Sequence, residues 1–378
     1  MSQLKIGFAG RWDPLDKKSW GGTNYSMYRQ LQQKGTVEIF QFPYPGWLKN
    51  YLIQFYKNPQ KWLFNKNVAV EFLKPYAKYY SKQLEKELLK RKVDVLFAPA
   101  APQLIAYLPS YLPIVFSTDA TFTQLQGYYD SWQNNSKGSI RQGIEVDQLA
   151  FQKASHCMLA SDWCKQSSIT DYGVSREKIS VVPWGANLDQ LPSLHELDFE
   201  RSSCNLLFLG VEWSRKGGDI ALQAFRLLKQ KRLEVSLHIV GCVPPVNVNE
   251  KGITVIPYLN KSNPADAAQL HKLLLNTDFL VLPTRAEAAG IVFCEAAAYG
   301  IPSFATNTGG VSTYIQEGVN GMLLSPNADG YAYADAILSV FANKTKMETM
   351  KQTSRKRYDE ELNWDTWGNK FSQLINSL

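Results

Sequence analysis

The stretch Arg285-Ala286-Glu287-Ala288-Ala289-Gly290-Ile291-Val292-Phe293-Cys294-Glu295-Ala296-Ala297-Ala298-Tyr299-Gly300-Ile301-Pro302 sets two carboxylates eight residues apart across a glycine-containing turn that opens into an alanine-rich helix. If most of that interval is helical, a rise of about 1.5 Å per residue puts the carboxylates roughly 12 Å apart along the axis. Such a span suits a sugar at one end and a ribose at the other. Between them, the unpaired N–H groups and positive dipole end of a helix N-terminus attract a diphosphate. That leaves hydrogen bonding to hydroxyls for Glu287 and Glu295. Two isolated glutamates would read as solvated helix-face charges. Here the apolar runs Asp278 to Pro283 and Ile301 to Ala305 flank the motif as buried strands, the place where open α/β sheets bind ligands.

Outward from this motif, apolar runs of strand length recur at 4–9, 37–42, 93–98, 114–117, 157–160 and 179–183. The alternation with helical stretches restarts at 206–210, 235–241, 253–257, 279–283, 301–305 and 322–325. This pattern predicts an α/β protein with two parallel, doubly wound sheets. A chain of 378 residues and 45% hydrophobic content has material for two cores, since single cores stop growing at about 250–300 residues. Residues 187–203, polar and without a clear period, read as the interdomain linker. The stretch from Tyr358 to Phe371 reads as a turn and a short amphipathic helix.

No apolar run approaches the roughly 18 residues that cross a bilayer, and the chain start runs straight into a strand, so a cytoplasmic protein is expected. Cys157, Cys164, Cys204, Cys242 and Cys294 are scattered and lack C-x-x-C spacing, so they read as reduced packing residues. The four histidines are dispersed and no Asp-x-Asp occurs. No metal or cofactor is therefore expected on the diphosphate, and cationic side chains and helix dipoles substitute for one. The net charge of +7 is concentrated between Lys49 and Lys92, where eleven basic residues face Glu71, Glu85 and Glu87 among interleaved Trp, Tyr and Phe. That composition suits contact between residues 44–92 and anionic lipid headgroups or a glycan acceptor. It equally describes an amphipathic helix with a solvated basic face. No nucleic-acid partner is expected.

After the helix come Thr308-Gly309-Gly310 and Glu317-Gly318-Val319-Asn320-Gly321. With the spacing of the glutamates and the Gly300-Ile301-Pro302 that follows them, the chain resembles the retaining glycosyltransferases of family 4, which have the GT-B fold. The resemblance implies two Rossmann-like doubly wound domains facing each other across a deep cleft. An acceptor-binding domain would cover 1–188, with a C-terminal helix at about 359–378 packing back on it, and a donor-binding domain 189–358. It implies that Glu295 binds ribose hydroxyls and Glu287 those of the donor sugar, while the amides of Ala289, Gly290 and Ile291 hold the diphosphate. Tyr258, Leu259, Asn260 and Lys261 fall near the nucleobase.

The second set of strands opens with Phe208-Leu209-Gly210-Val211-Glu212-Trp213-Ser214-Arg215-Lys216-Gly217-Gly218-Asp219. Paired cations at a strand's carboxyl end can stabilise a departing diphosphate, Lys216 as a point charge and Arg215 as a bidentate donor. Family members often carry an arginine where this chain has Val211; either Arg215 compensates or one phosphate contact is missing. In the first half, Gly21 and Gly22 lie before a helix, and the resemblance puts Gly22 against the donor phosphates. Asp119 follows the strand at Ile114. There it could orient an acceptor hydroxyl or stabilise cationic character at the anomeric carbon, its other reading being a helix N-cap.

The expectation is a metal-independent, retaining enzyme that moves a sugar from a nucleoside-diphosphate sugar to a saccharide or lipid-linked acceptor. Its front-face mechanism would use no covalent nucleophile. It would be cytoplasmic, with peripheral contact to the inner face of the plasma membrane. The alternatives are a nucleotide-sugar epimerase of the same fold and a non-enzymatic two-domain sugar-binding protein. A nicotinamide-dependent dehydrogenase is disfavoured because Gly-x-Gly-x-x-Gly is absent after the first strand.

Overall fold

A computed structural model of the chain describes residues 4–42, 46–109, 112–200 and 203–377. The apolar runs are parallel strands in two six-stranded sheets, as the alternation predicts. In the first, β1 (Lys5–Ala9), β2 (Thr36–Phe40), β3 (Val95–Pro99), β4 (Ile114–Thr118), β5 (His156–Leu159) and β6 (Ile179–Val181) lie in the order β2-β1-β3-β4-β5-β6. The second contains β7 (Cys204–Leu209), β8 (Val235–Val240), β9 (Ile253–Ile256), β10 (Phe279–Leu282), β11 (Ser303–Thr306) and β12 (Gly321–Leu324). Their order is β12-β11-β10-β7-β8-β9. Strands β3, β4, β10 and β11 are buried at every position. Continuous apolar runs, instead of alternating ones, are what helix-covered parallel strands require. Each sheet reverses direction once, between β1 and β3 and between β7 and β10, and such reversals open a crevice beyond the strands' carboxyl ends.

The chain divides into two compact units, residues 1–182 with 367–378, and residues 183–366. In the first unit the helix Lys74–Lys90 buries Tyr76, Tyr80, Leu84 and Leu88 at four-residue spacing. Lys78, Lys82, Lys86 and Lys90 are exposed on its other side, so for this helix the solvated basic face is the right description. Trp367 and Phe371, both fully buried, stand edge-on to Phe97 with ring centroids 5.5 and 5.7 Å away.

Residues 187–203 differ from a free polar linker. Ser193 and Glu196 form a capping box around the turn Leu194–Glu196. Pro192 O accepts from Arg355 Nη1 at 3.1 Å, and Asn187 Oδ1 accepts from Trp364 Nε1 at 3.0 Å. The polar composition is turn and capping chemistry that fastens the segment to the second unit; residues 201 and 202 lie outside the described residues. At the amino end of β10, fully buried Asp278 accepts from Lys351 Nζ at 2.9 Å, Ser203 Oγ at 2.6 Å and Asn205 N at 3.0 Å. All five cysteines are free, and burial pushes the Cys157 thiol up to about 12, so it is a packing group.

Asp147, on the helix Lys137–Lys153, is buried and pushed up to about 7 by desolvation, although it accepts the Phe122 N–H at 2.7 Å. The folded chain therefore holds this proton more tightly than the unfolded one. The stabilisation is complete below the ordinary carboxyl range and is lost as pH rises towards about 7. Asp147→Asn keeps an acceptor for Phe122 and removes the titration. Between pH 4 and 8, denaturant unfolding should show the variant gaining a few kcal/mol relative to the parent, since each tenfold difference in proton affinity between folded and unfolded chain is worth about 1.4 kcal/mol. Parallel profiles would show that Asp147 does not titrate as described.

Candidate functional site

Strands β7 and β10 are neighbours at the reversal of the second sheet, so the loops leaving their carboxyl ends come together. After Gly210 the chain makes one helical turn, Trp213–Lys216, ended by Gly217 at φ 74°. A Cβ on Gly217 would lie 2.0 Å from Pro283 O, and one on Gly210 would lie 2.9 Å from Lys216 Cγ. Only glycines let this turn press on the end of β10 while the lysine passes over the end of β7. Hydrogen bonds join the loops, among them Arg285 N to Arg215 O at 2.7 Å, Arg215 Nη1 to Ala286 O at 2.8 Å, and Arg285 Nη1 to Ser214 O.

Lys216 Nζ and Glu287 Oε2 consequently form an ion pair in which each side chain is only 11% exposed. Glu287 lies in the buried loop ahead of the helix Ile291–Ala298, which Gly290 caps. The helix covers only the second half of the interval between the carboxylates, so the roughly 12 Å expected from a helical rise does not apply. Glu295, on that helix, is 2% exposed and paired with Lys261 Nζ from the segment after β9. Both glutamates are buried and paired, and the reading of solvated helix-face charges fails for them.

The remaining residues singled out in the sequence fall as follows. Arg215 also donates to Glu212 Oε1 at 2.7 Å, so its guanidinium is a strut between the two loops. Lys216 has three donors, one of which goes to Glu287. Ile291 N donates to Ala289 O at 3.3 Å, whereas among the described residues Ala289 and Gly290 donate to no backbone carbonyl. Of Tyr258 to Lys261, Lys261 joins Glu295, Asn260 N donates to Asp266 Oδ2 at 2.8 Å, Leu259 is half-buried and Tyr258 is exposed. Gly22 and Asp119 belong to the first unit. Gly22, at φ 94°, caps the helix Thr23–Gln32 beyond β1. Asp119 follows β4, but the N-cap there is Thr121, in a capping box with Gln124. Among the described residues no three His, Cys, Asp or Glu gather into a metal-binding group.

Arg285 and Asp219 received no role from the sequence. They form a bidentate pair at 3.0 and 2.7 Å that ties the β10 loop to the start of the helix Gly218–Gln230, and the Arg285 hydrogen bonds lower the Asp219 carboxyl. The signal available was two opposite charges, each bordering a glycine-rich or acidic motif.

Gly217→Ala should dislodge Lys216 and cost about 1–3 kcal/mol in denaturant unfolding, because it adds a strained φ to a clash with Pro283 O. Gly138→Ala, in open space on the helix Lys137–Lys153, should be neutral or stabilising by up to about 1 kcal/mol. Equal effects would mean that Gly217 has no special place.

Residues 203–357 match the family model described as glycosyl transferases group 1. A D-inositol 3-phosphate glycosyltransferase of Paenarthrobacter aurescens is 26% identical over 214 residues, 52% of this chain and 51% of the relative. The chain spans about half the length of the curated relatives it matches. Among solved structures, sucrose-phosphate synthase of Thermosynechococcus elongatus superposes with a TM-score of 0.68 over 99% of each chain at 15% identity. The Anabaena protein HepE, solved with UDP-glucose, does so with 0.64 over 99% of this chain and 100% of its own, also at 15% identity. These likenesses extend through both sheets and match the expected GT-B fold of two Rossmann-like domains. The match to the glycosyl transferases group 1 model thus falls on the second unit, over residues 203–357, which includes strands β7 to β12 and the loops after β7 and β10.

Proposed function

We propose that the chain is a retaining, metal-independent glycosyltransferase that moves a sugar from a nucleoside-diphosphate sugar to a saccharide or lipid-linked acceptor. The observation that carries this reading is the buried Lys216–Glu287 pair at the reversal of a glycosyl transferases group 1 sheet. Support also comes from the UDP-glucose bound to the Anabaena neighbour and from the glycosyltransferase name of the Paenarthrobacter relative.

In this reading the bond between the anomeric carbon and the diphosphate oxygen breaks while the acceptor oxygen bonds to the same face of the carbon. The acceptor's proton passes to the departing phosphate oxygen. Charge builds on the diphosphate, and the Lys216 ammonium and the amides of Ala289, Gly290 and Ile291 stabilise it in a site with little water. Such arrangements lower barriers by several kcal/mol. Arg215 contributes chiefly by holding the lysine's loop in place. Glu287 takes sugar hydroxyls, Glu295 ribose hydroxyls, and Tyr258 to Lys261 border the base. Asp119 orients the acceptor hydroxyl, and Gly22 allows close approach of backbone to phosphate.

The test is a coupled assay of nucleoside diphosphate release. Lys216→Ala and Glu287→Ala should each lose about 100-fold or more in turnover while circular dichroism stays parental. Near-parental rates in both would overturn the assignment, and an epimerised sugar formed without acceptor would replace it with epimerase chemistry.

The proposal extends to peripheral membrane contact through residues 44–92, and it rests on one part of that segment. In the helices Gly46–Leu52 and Asn58–Phe64, Trp47, Tyr51, Trp62 and Phe64 are exposed, Trp62 at 86%, beside exposed Lys57, Lys61 and Lys66. Residues 44 and 45 and the Lys49 side chain lie outside the described residues. Among the described residues no helix is long and apolar enough to cross a membrane. Sedimentation with anionic but not neutral vesicles, weakened by salt and by Trp62→Ala, is expected; equal sedimentation with both vesicle types would count against the contact.

A further inference from the structure

A cavity of about 190 Å³ lies at the reversal of the first sheet, between the loop after β1 and the helical turn Pro102–Ile105 after β3. Its walls include Arg11, Trp12, Glu71, Tyr76, Tyr80 and Gln103. Gln103 is 1% exposed, and neither its Oε1 nor its Nε2 has a hydrogen-bond partner. A buried amide with both ends unpaired is costly, and buried polar groups are nearly always satisfied. Its neighbours, by contrast, are fixed. Arg11 is paired with Glu71 and its guanidinium lies 4.6 Å over the Trp12 ring, which stacks on Trp20 at 5.5 Å.

We propose that this cavity is a subsite for one neutral sugar ring and that Gln103 is the residue that reads its hydroxyls. The chemistry selects the ligand class. An apolar ligand would leave the amide unpaired. An anion would meet the Glu71 carboxylate and a cation already engaged with it. A hydroxyl both donates and accepts, matching the two ends of the amide, and a sugar's C–H faces pack on rings such as Trp12, Tyr76 and Tyr80. At about 30 Å³ per water the volume holds about six waters, the scale of a monosaccharide and too small for a nucleotide. Glu71 also lines a second, separate cavity of about 480 Å³ with Asn67, Asp130, Trp132 and Asn135. Calling this the acceptor end rests on the transferase reading; sugar binding at Gln103 does not.

The test uses the full chain and two separate titrations. D-glucose, D-galactose, N-acetyl-D-glucosamine and myo-inositol are each titrated by calorimetry and saturation-transfer NMR, and UDP and GDP are titrated in parallel. At least one sugar should bind to the parent. Gln103→Leu should weaken it about tenfold or more, with nucleotide affinity unchanged and Tm equal or higher, because an unpaired amide gives way to hydrocarbon. Gln103→Met, of similar length, repeats the comparison if the leucine variant is unstable. Absence of sugar binding to the parent, or parental affinity in the folded variant, overturns the subsite. Sugar binding lost in Gln103→Leu, with neither nucleotide bound by the parent, upholds the subsite and overturns the transferase reading.

Discussion

The ion pair between Lys216 and Glu287 is the constraint on which the site depends. Removing two charges from water costs several kcal/mol each, and the mutual attraction compensates only when geometry is tightly held. The holding is topological before it is chemical. Because the strand order turns back between β10 and β7, two loops far apart in sequence leave adjacent strand ends. Gly217 then lets one loop rest on the carbonyl of Pro283, and the Arg215 strut fixes the spacing.

The opposite end of β10 shows what the same chemistry does when it serves only cohesion. Asp278 is fully buried and takes hydrogen bonds from Lys351, Ser203 and Asn205, groups on a helix and beside a strand. That network ties the helix Lys344–Glu360 to the sheet. At the carboxyl end the charged groups sit on a loop and a single helical turn, with backbone N–H groups and a helix N-terminus beside them. Carboxyl ends of parallel strands are where ligands bind because loops there can vary while the sheet stays rigid. The first unit follows the same rule, with Arg11 and Gln103 reached from β1 and β3 at its own reversal.

The architecture was legible in the sequence because parallel, helix-covered strands are continuous apolar runs. The motif residues Lys216, Glu287, Glu295 and Lys261 were also legible as types. Their pairing was not, since Lys216 with Glu287 and Lys261 with Glu295 are contacts across strand order, and spacing carries no information on that. Arg215 reads as a ligand donor in sequence; in the fold its guanidinium also donates to the Ala286 carbonyl and to Glu212, contacts that spacing does not announce. For Asp119 the sequence offered a cleft residue or a helix N-cap, and Thr121, two residues later, takes the cap. Gln103 gave no signal. One glutamine inside Ala98 to Leu104 is unremarkable until its amide is found buried without a partner.

The basic, aromatic segment from Lys49 to Lys92 shows where composition stops being informative. In the helix Lys74–Lys90 the rings and lysines sit on different faces, and packing sorts them: Tyr76 and Tyr80 go inward with Leu84 and Leu88. In the helix Gly46–Leu52 the inward positions are Leu48 and Leu52, so Trp47 and Tyr51, one residue earlier, point away from the core. A helix whose apolar face is wider than the face its own core can cover leaves the surplus exposed. Here that surplus consists of large aromatics flanked by lysines, and it is this pairing on which the proposed anionic contact rests.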